Sequence, residues 1–211
     1  MYRKSLLFVA MLLLLTPASG WAQKFEVAPY VGYRFGGTFT NFNDPNNSLV
    51  NTLKIENSFA LGVIADFFIT PVVAIEGSFA YQPTQMKADI PNNPIELFDL
   101  KVNWYHLGLR FETPRQDEPK PRGFLSVTGG ATSLIASDHS TETKPSFGFS
   151  LGGEYFFSRN VGVVLLGRYV GTFFNSDDQF FCPDVGTDCL VLPSSTTMHQ
   201  AEISGGVSLA F

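Results

Sequence analysis

Three histidines, His106, His139 and His199, have the side chain that most readily serves as a base near neutral pH. Acyl transfer would need one of them beside a hydroxyl nucleophile, with an acid to orient the ring. His139 adjoins Ser140 in DHST, a polar stretch with no regular pattern. His199 has Ser194, Ser195 and Glu202 close in sequence, which makes it the best of the three. In an extended chain, however, positions 199 and 202 have opposite parity and face opposite ways, which spoils a triad. His106 lies in WYHLGLRF, where a packed, hydrogen-bonded imidazole is the ordinary expectation. Catalysis is therefore not expected. No glycine-rich phosphate loop, CxxC motif or His/Asp metal spacing occurs, so the sequence implies no cofactor and no metal.

A second set of chemical groups is more regular. Glu26, Arg34, Asp66, Glu76, Arg110, Glu154, Arg168 and Glu202 each stand on the polar side of a stretch that alternates apolar and polar residues. The last stretch, 196–211, shows the pattern well. His199, Ala201, Ile203, Gly205, Val207, Leu209 and Phe211 share one face, with Gln200, Glu202, Ser204 and Ser208 opposite. Similar stretches occupy 24–37, 56–69, 72–82, 97–112, 122–135, 146–157 and 161–174, which makes eight predicted strands. Each is about the nine to eleven residues, or a little more, that a tilted strand needs to cross a bilayer.

The connections also alternate. Those after the second, fourth and sixth strands are compact (Thr70-Pro71, 113–121 and 158–160), whereas 36–53, 83–96, 136–145 and 175–195 are longer and polar. Placing every long loop at one end has no purpose in a soluble sandwich. It is the asymmetry of an up-and-down transmembrane barrel, with short periplasmic turns and long outer loops. The fold class predicted is thus all-β, an eight-stranded antiparallel up-and-down transmembrane barrel. Its apolar faces turn to lipid, and its eight charged residues, with Tyr30 and His106, turn inward. An eight-stranded barrel has an interior only wide enough for its own side chains. The inward charges are therefore expected to neutralise one another as an ion-pair network, with a gated pore as the alternative. Glu202 should find Arg34 or Arg168.

Residues 1–22 read as a secretory signal: Arg3 and Lys4 precede the apolar run 6–15, and Gly20-Trp21-Ala22 fits a cleavage site. The mature domain is expected to span 23–211. Loss of Arg3 and Lys4 takes the formal net charge from −5 to −7. That acidity, without a Lys/Arg cluster, argues against nucleic acid as a partner. In an exported protein the two cysteines, Cys182 and Cys189, are expected to form one disulfide across a short loop. Without a nearby histidine they do not complete a tetrahedral metal set.

With the exported start, APYVGYRFG, WYHLGLRF, GFSLGGEYFFS and the terminal VSLAF, the chain resembles the small eight-stranded outer-membrane barrels of the OmpX and OmpA transmembrane-domain group. The likeness covers nearly the whole mature chain and is specific for architecture rather than activity. It implies the bacterial outer membrane as the location and its lipids as surroundings. It implies a monomer whose loops can meet host or surface ligands, and a C-terminal aromatic, Phe211, that the assembly machinery reads. Some barrels of this size modify lipid A, and His199 would be the residue to carry that chemistry here. A counterpart of the peptidoglycan-binding domain of OmpA-type proteins is not expected after the last strand.

Overall fold

In the computed structural model the described residues are 24–40, 52–88, 95–114, 121–137, 141–174 and 197–211. The signal stretch, Cys182, Cys189, His139, Ser194 and Ser195 lie outside them. Ten strands form: β1 (Phe25–Gly36), β2 (Thr38–Thr40), β3 (Thr52–Ile55), β4 (Ser58–Thr70), β5 (Val73–Ala88), β6 (Ile95–Glu112), β7 (Pro121–Ala136), β8 (Glu142–Phe156), β9 (Val161–Phe173) and β10 (Thr197–Ala210). They make one closed antiparallel sheet, because β1 pairs with both β4 and β10 while β5 pairs with β6.

The ten segments are eight staves. β2 continues β1 beyond Gly36 and Gly37, the two glycines with positive φ (96° and 90°). A side chain on Gly36 would also run into the His199 carbonyl, so both backbone and space require glycine there. β3 leads into β4 across Glu56 and Asn57, and β3 pairs with β5 at Leu53↔Ala88 and Ile55↔Met86. Residues 38–40 and 52–53, expected within a loop, therefore extend the wall together with 54–55.

The third predicted strand is also longer than its sequence suggests. Pro83 marks a break in the pattern, yet β5 runs on to Ala88 and pairs with β6 through Pro83↔Lys101. The missing N–H falls toward β4, where the ladder has stopped at Leu61↔Tyr81. There the Ser58 hydroxyl donates to the Pro83 carbonyl at 2.7 Å, Thr84 Oγ1 donates to the Glu56 carbonyl at 2.5 Å, and Lys87 pairs with Glu56 at 2.8 Å. Side chains thus close the seam where the backbone ladder lapses.

Outward positions are apolar around the whole circumference. Leu61, Leu107, Leu151, Leu165 and Ile203 are each more than half exposed, a face that water would penalise and lipid would not. Aromatic pairs occupy both ends: Phe25 and Phe211 (6.4 Å between ring centres) at the short-turn end, Tyr33–Phe59 (5.5 Å) and Phe147–Tyr169 (5.9 Å) toward the other. Phe211 N–H donates to the Phe25 carbonyl at 2.8 Å, so the first and last residues of the barrel close the same rim. If this belt meets lipid, Leu165→Arg will lower barrel stability by about 2–4 kcal/mol near the midplane. Urea titration of the variant in phospholipid vesicles measures this, and an unchanged midpoint would deny the belt its role.

Candidate functional site

Parity turns the polar faces inward, and the lumen is where charged groups collect. All eight acidic and basic residues picked out in the sequence are buried there: Glu26, Arg34, Asp66, Glu76, Arg110, Glu154, Arg168 and Glu202. Glu112 and Arg122 join them. Both stand at the ends of predicted strands, beside the 113–121 turn, where Glu112 shares parity with Arg110 and Arg122 with Ser126.

Nearest the short-turn end, Arg122 sits among three carboxylates. Its Nη2 reaches Glu154 Oε2 at 2.9 Å and Glu26 Oε2 at 3.3 Å, and its Nη1 pairs with Glu112. The three carboxylates offer oxygen atoms within 4.8 Å of one another, a spacing suited to a metal ion. The Arg122 guanidinium already supplies the positive charge at that place. Arg110 lies one layer in, where its Nη1 donates to Asp66 Oδ2 at 2.9 Å and its Nη2 forms ion pairs with Glu154 Oε1 at 2.8 Å and Glu112 Oε2 at 3.2 Å. Its guanidinium stacks on the Phe124 ring, 3.7 Å from the centre, so its flat face is covered by an aromatic surface.

Arg168 donates from Nε to Ser150 Oγ (3.0 Å) and from Nη1 to the Tyr30 hydroxyl (3.2 Å), and its Nη2 lies 3.6 Å from Glu76. Arg34 forms a separate cluster. Its Nε and Nη2 both donate to Glu202 Oε2, at 3.0 and 2.8 Å, and its plane lies 3.3 Å over Trp104. Ser204 Oγ donates to the other Glu202 oxygen at 3.0 Å. Of the two partners expected for Glu202, the structure places Arg34 against it; Arg168 turns to Glu76 instead.

Toward the long-loop end the lining becomes more apolar. Leu53, Ile55, Met86, Leu100, Leu134 and Met198 are all 0–1 % exposed and belong to one cluster with Trp104, Val102 and Phe174. Ion pairs are concentrated in the inner part of the lumen, while apolar side chains line its whole length, joined toward the outer end by buried Gln82, Gln200, Thr132 and Thr172.

The histidines fall apart. His106 is buried between strands, with Nε2 at 2.8 Å from Ser146 Oγ and Nδ1 at 3.3 Å from Thr128 Oγ1. Gly130 makes its seat, since a Cβ there would lie 2.7 Å from the imidazole. His199 is exposed on the outer surface and hydrogen-bonded to Tyr169, while Glu202 points into the lumen. No carboxylate contacts either ring among the described residues.

The sequence matches the Outer membrane protein beta-barrel domain family over residues 8–211. The chain belongs to that family. Its relatives in solved structures are similar in fold at low identity. The Neisserial surface protein A (NspA) superposes with a TM-score of 0.57 at 14 % identity, over 89 % of this chain and 97 % of that one. OprG from Pseudomonas aeruginosa gives 0.56 at 11 %, over 90 % and 96 %. The outer membrane protein AlkL, solved in DMPC lipid bilayers, gives 0.51 at 15 %, over 93 % and 94 %. No curated protein matches the sequence. This outer-membrane barrel therefore resides in the bacterial outer membrane with its aliphatic belt in lipid. The network of arginines and carboxylates crosses the lumen at membrane depth.

Proposed function

We propose that this outer-membrane barrel is a closed, non-catalytic scaffold that presents its outer loops to host or surface ligands. The observation that carries this is the filled lumen. Trp104, Arg34 and Arg110 lie across it with no exposure beyond 1 %, and an apolar cluster caps the ionic layer. An ion entering would have to break paired charges and then cross hydrocarbon, and both steps are costly. A barrel of eight staves has room for side chains and little else. The exposed chemistry is thus left to the loops that join the long-loop ends of the strands, 175–195 being the longest.

The scaffold reading also favours a monomer, inserted by the outer-membrane assembly machinery through the final strand, where Phe211 forms the rim with Phe25. Among the described residues no carboxylate stands beside His106 or His199, which favours a non-catalytic reading. Purified barrel in planar bilayers should stay electrically silent over a wide voltage range. Steady unitary conductance would overturn the closed scaffold in favour of a narrow pore. Cells whose barrel has 175–195 replaced by a short turn should retain the folded protein and lose adhesion to matrix or serum components. Unchanged adhesion would remove that loop from the proposal.

A further inference from the structure

The charges of the lumen do not balance. Among the described residues six buried carboxylates face four buried guanidiniums, an excess of two negative charges. The excess has a location. Register places Glu26 directly opposite Asp66, and Asp66 directly opposite Glu76, on the adjacent strands β1, β4 and β5. Side chains paired this way stand about 4.5–5.5 Å apart at Cβ, and like charges so placed repel.

Glu26 and one oxygen of Asp66 are served by Arg122 and Arg110. Asp66 Oδ1 and both oxygens of Glu76 have no hydrogen-bond donor, although Asp66 is 2 % and Glu76 0 % exposed. The nearest cation to Glu76 is Arg168 Nη2 at 3.6 Å, which is committed through its other nitrogens to Ser150 and Tyr30. A fully buried carboxylate with neither oxygen bonded is costly, because its lost hydration is not replaced.

We propose that Asp66 and Glu76 form a binding site for one divalent cation, calcium in the first instance, which neutralises the excess charge of the lumen. Three carboxylate oxygens without a hydrogen-bond donor, one of them 3.6 Å from Arg168 Nη2, are hard donors of the kind that hold calcium or magnesium. Calcium accepts irregular oxygen shells and completes them with water, which suits two carboxylates on neighbouring strands. One divalent ion cancels both surplus charges. The contrast with Glu26, Glu112 and Glu154 is instructive, for there the guanidinium of Arg122 already stands where a metal would. The site is structural and independent of what the loops bind.

The test uses the whole barrel, refolded in detergent free of lipopolysaccharide with either calcium or chelator present, so that the ion can be enclosed as the lumen closes. Wild type refolded with calcium and then desalted should carry about one calcium per chain by mass spectrometry of the metal, and its urea midpoint should lie above that of the barrel refolded with chelator. Glu76→Gln should lose both the bound metal and the midpoint shift, and Asp66→Asn should do the same if Glu76→Gln does not fold. Glu96→Gln, at an exposed ion pair with Lys87, should keep both. Wild type with no retained calcium and a calcium-independent midpoint would overturn the site, as would a Glu76→Gln barrel that still binds calcium.

Discussion

Arg122→Met should be the most damaging single substitution in the barrel. It leaves Glu26, Glu112 and Glu154 facing one another within 4.8 Å, with Arg110 alone to serve two of them. Removing one partner from a buried charged group strands the others without compensation, at about 3–5 kcal/mol. The expected result is a large fall in the urea midpoint and in the heat-modifiable folded band on gels. Lysine at 122 should rescue little, because an ammonium cannot span three acceptors as a planar guanidinium does. A second change, Glu112→Gln, should recover part of the loss by removing one stranded charge. If Arg122→Met folds with wild-type stability, the three carboxylates are not held by Arg122, and the description of this end of the lumen is wrong.

The Arg34–Glu202 pair gives the second large effect, with a different outcome for the double variant. Arg34→Met removes both arginine donors to Glu202 Oε2 and leaves only uncharged partners, Ser204 and Tyr30, for a carboxylate that is 1 % exposed. A loss of about 3–5 kcal/mol is expected. Glu202→Leu alone strands Arg34 against Trp104, Gln82 and the Val102 carbonyl, and should cost a similar amount. The double variant should return most of the stability, because replacing a buried pair by apolar groups of similar size is often neutral. Its surroundings favour this, since the hydrocarbon cluster of Val102, Trp104, Met86 and Met198 begins at the same depth. Equilibrium unfolding of the four proteins yields the coupling energy directly. Additive losses in the double variant would show that the two side chains do not act as a pair.

Much of this architecture is visible in the chain because strand parity is a local property. Alternation alone places Glu26, Arg34, Asp66, Glu76, Arg110, Glu154, Arg168 and Glu202 on inward faces, and each is buried. The ends of strands are less legible. Pro83 looks like a terminator, yet β5 continues past it because its missing donor faces a seam closed by Ser58 and Thr84. Residues 38–40 and 52–53 look like loop, yet they pair to extend the wall once Gly36 and Gly37 turn the backbone. Glu112 and Arg122 share the inward parity of Arg110 and Ser126, and the register shows that the wall continues as far as Glu112↔Phe124, so both lie in the lumen beside the turn.

By itself the sequence determined the eight staves, the direction of their faces, the end that carries the long loops and the kinds of charge sealed inside. Those follow from period-two alternation and turn composition, which involve residues only a few positions apart. Tertiary structure alone decided which charges meet. Arg34 is 168 positions from Glu202, and Arg122 is 96 from Glu26; only the shear and closure of the sheet set such distances. The facing of Asp66 and Glu76 is by contrast a local hairpin register, and what the tertiary structure decided there is that three of their carboxylate oxygens are reached by no arginine with a hydrogen bond.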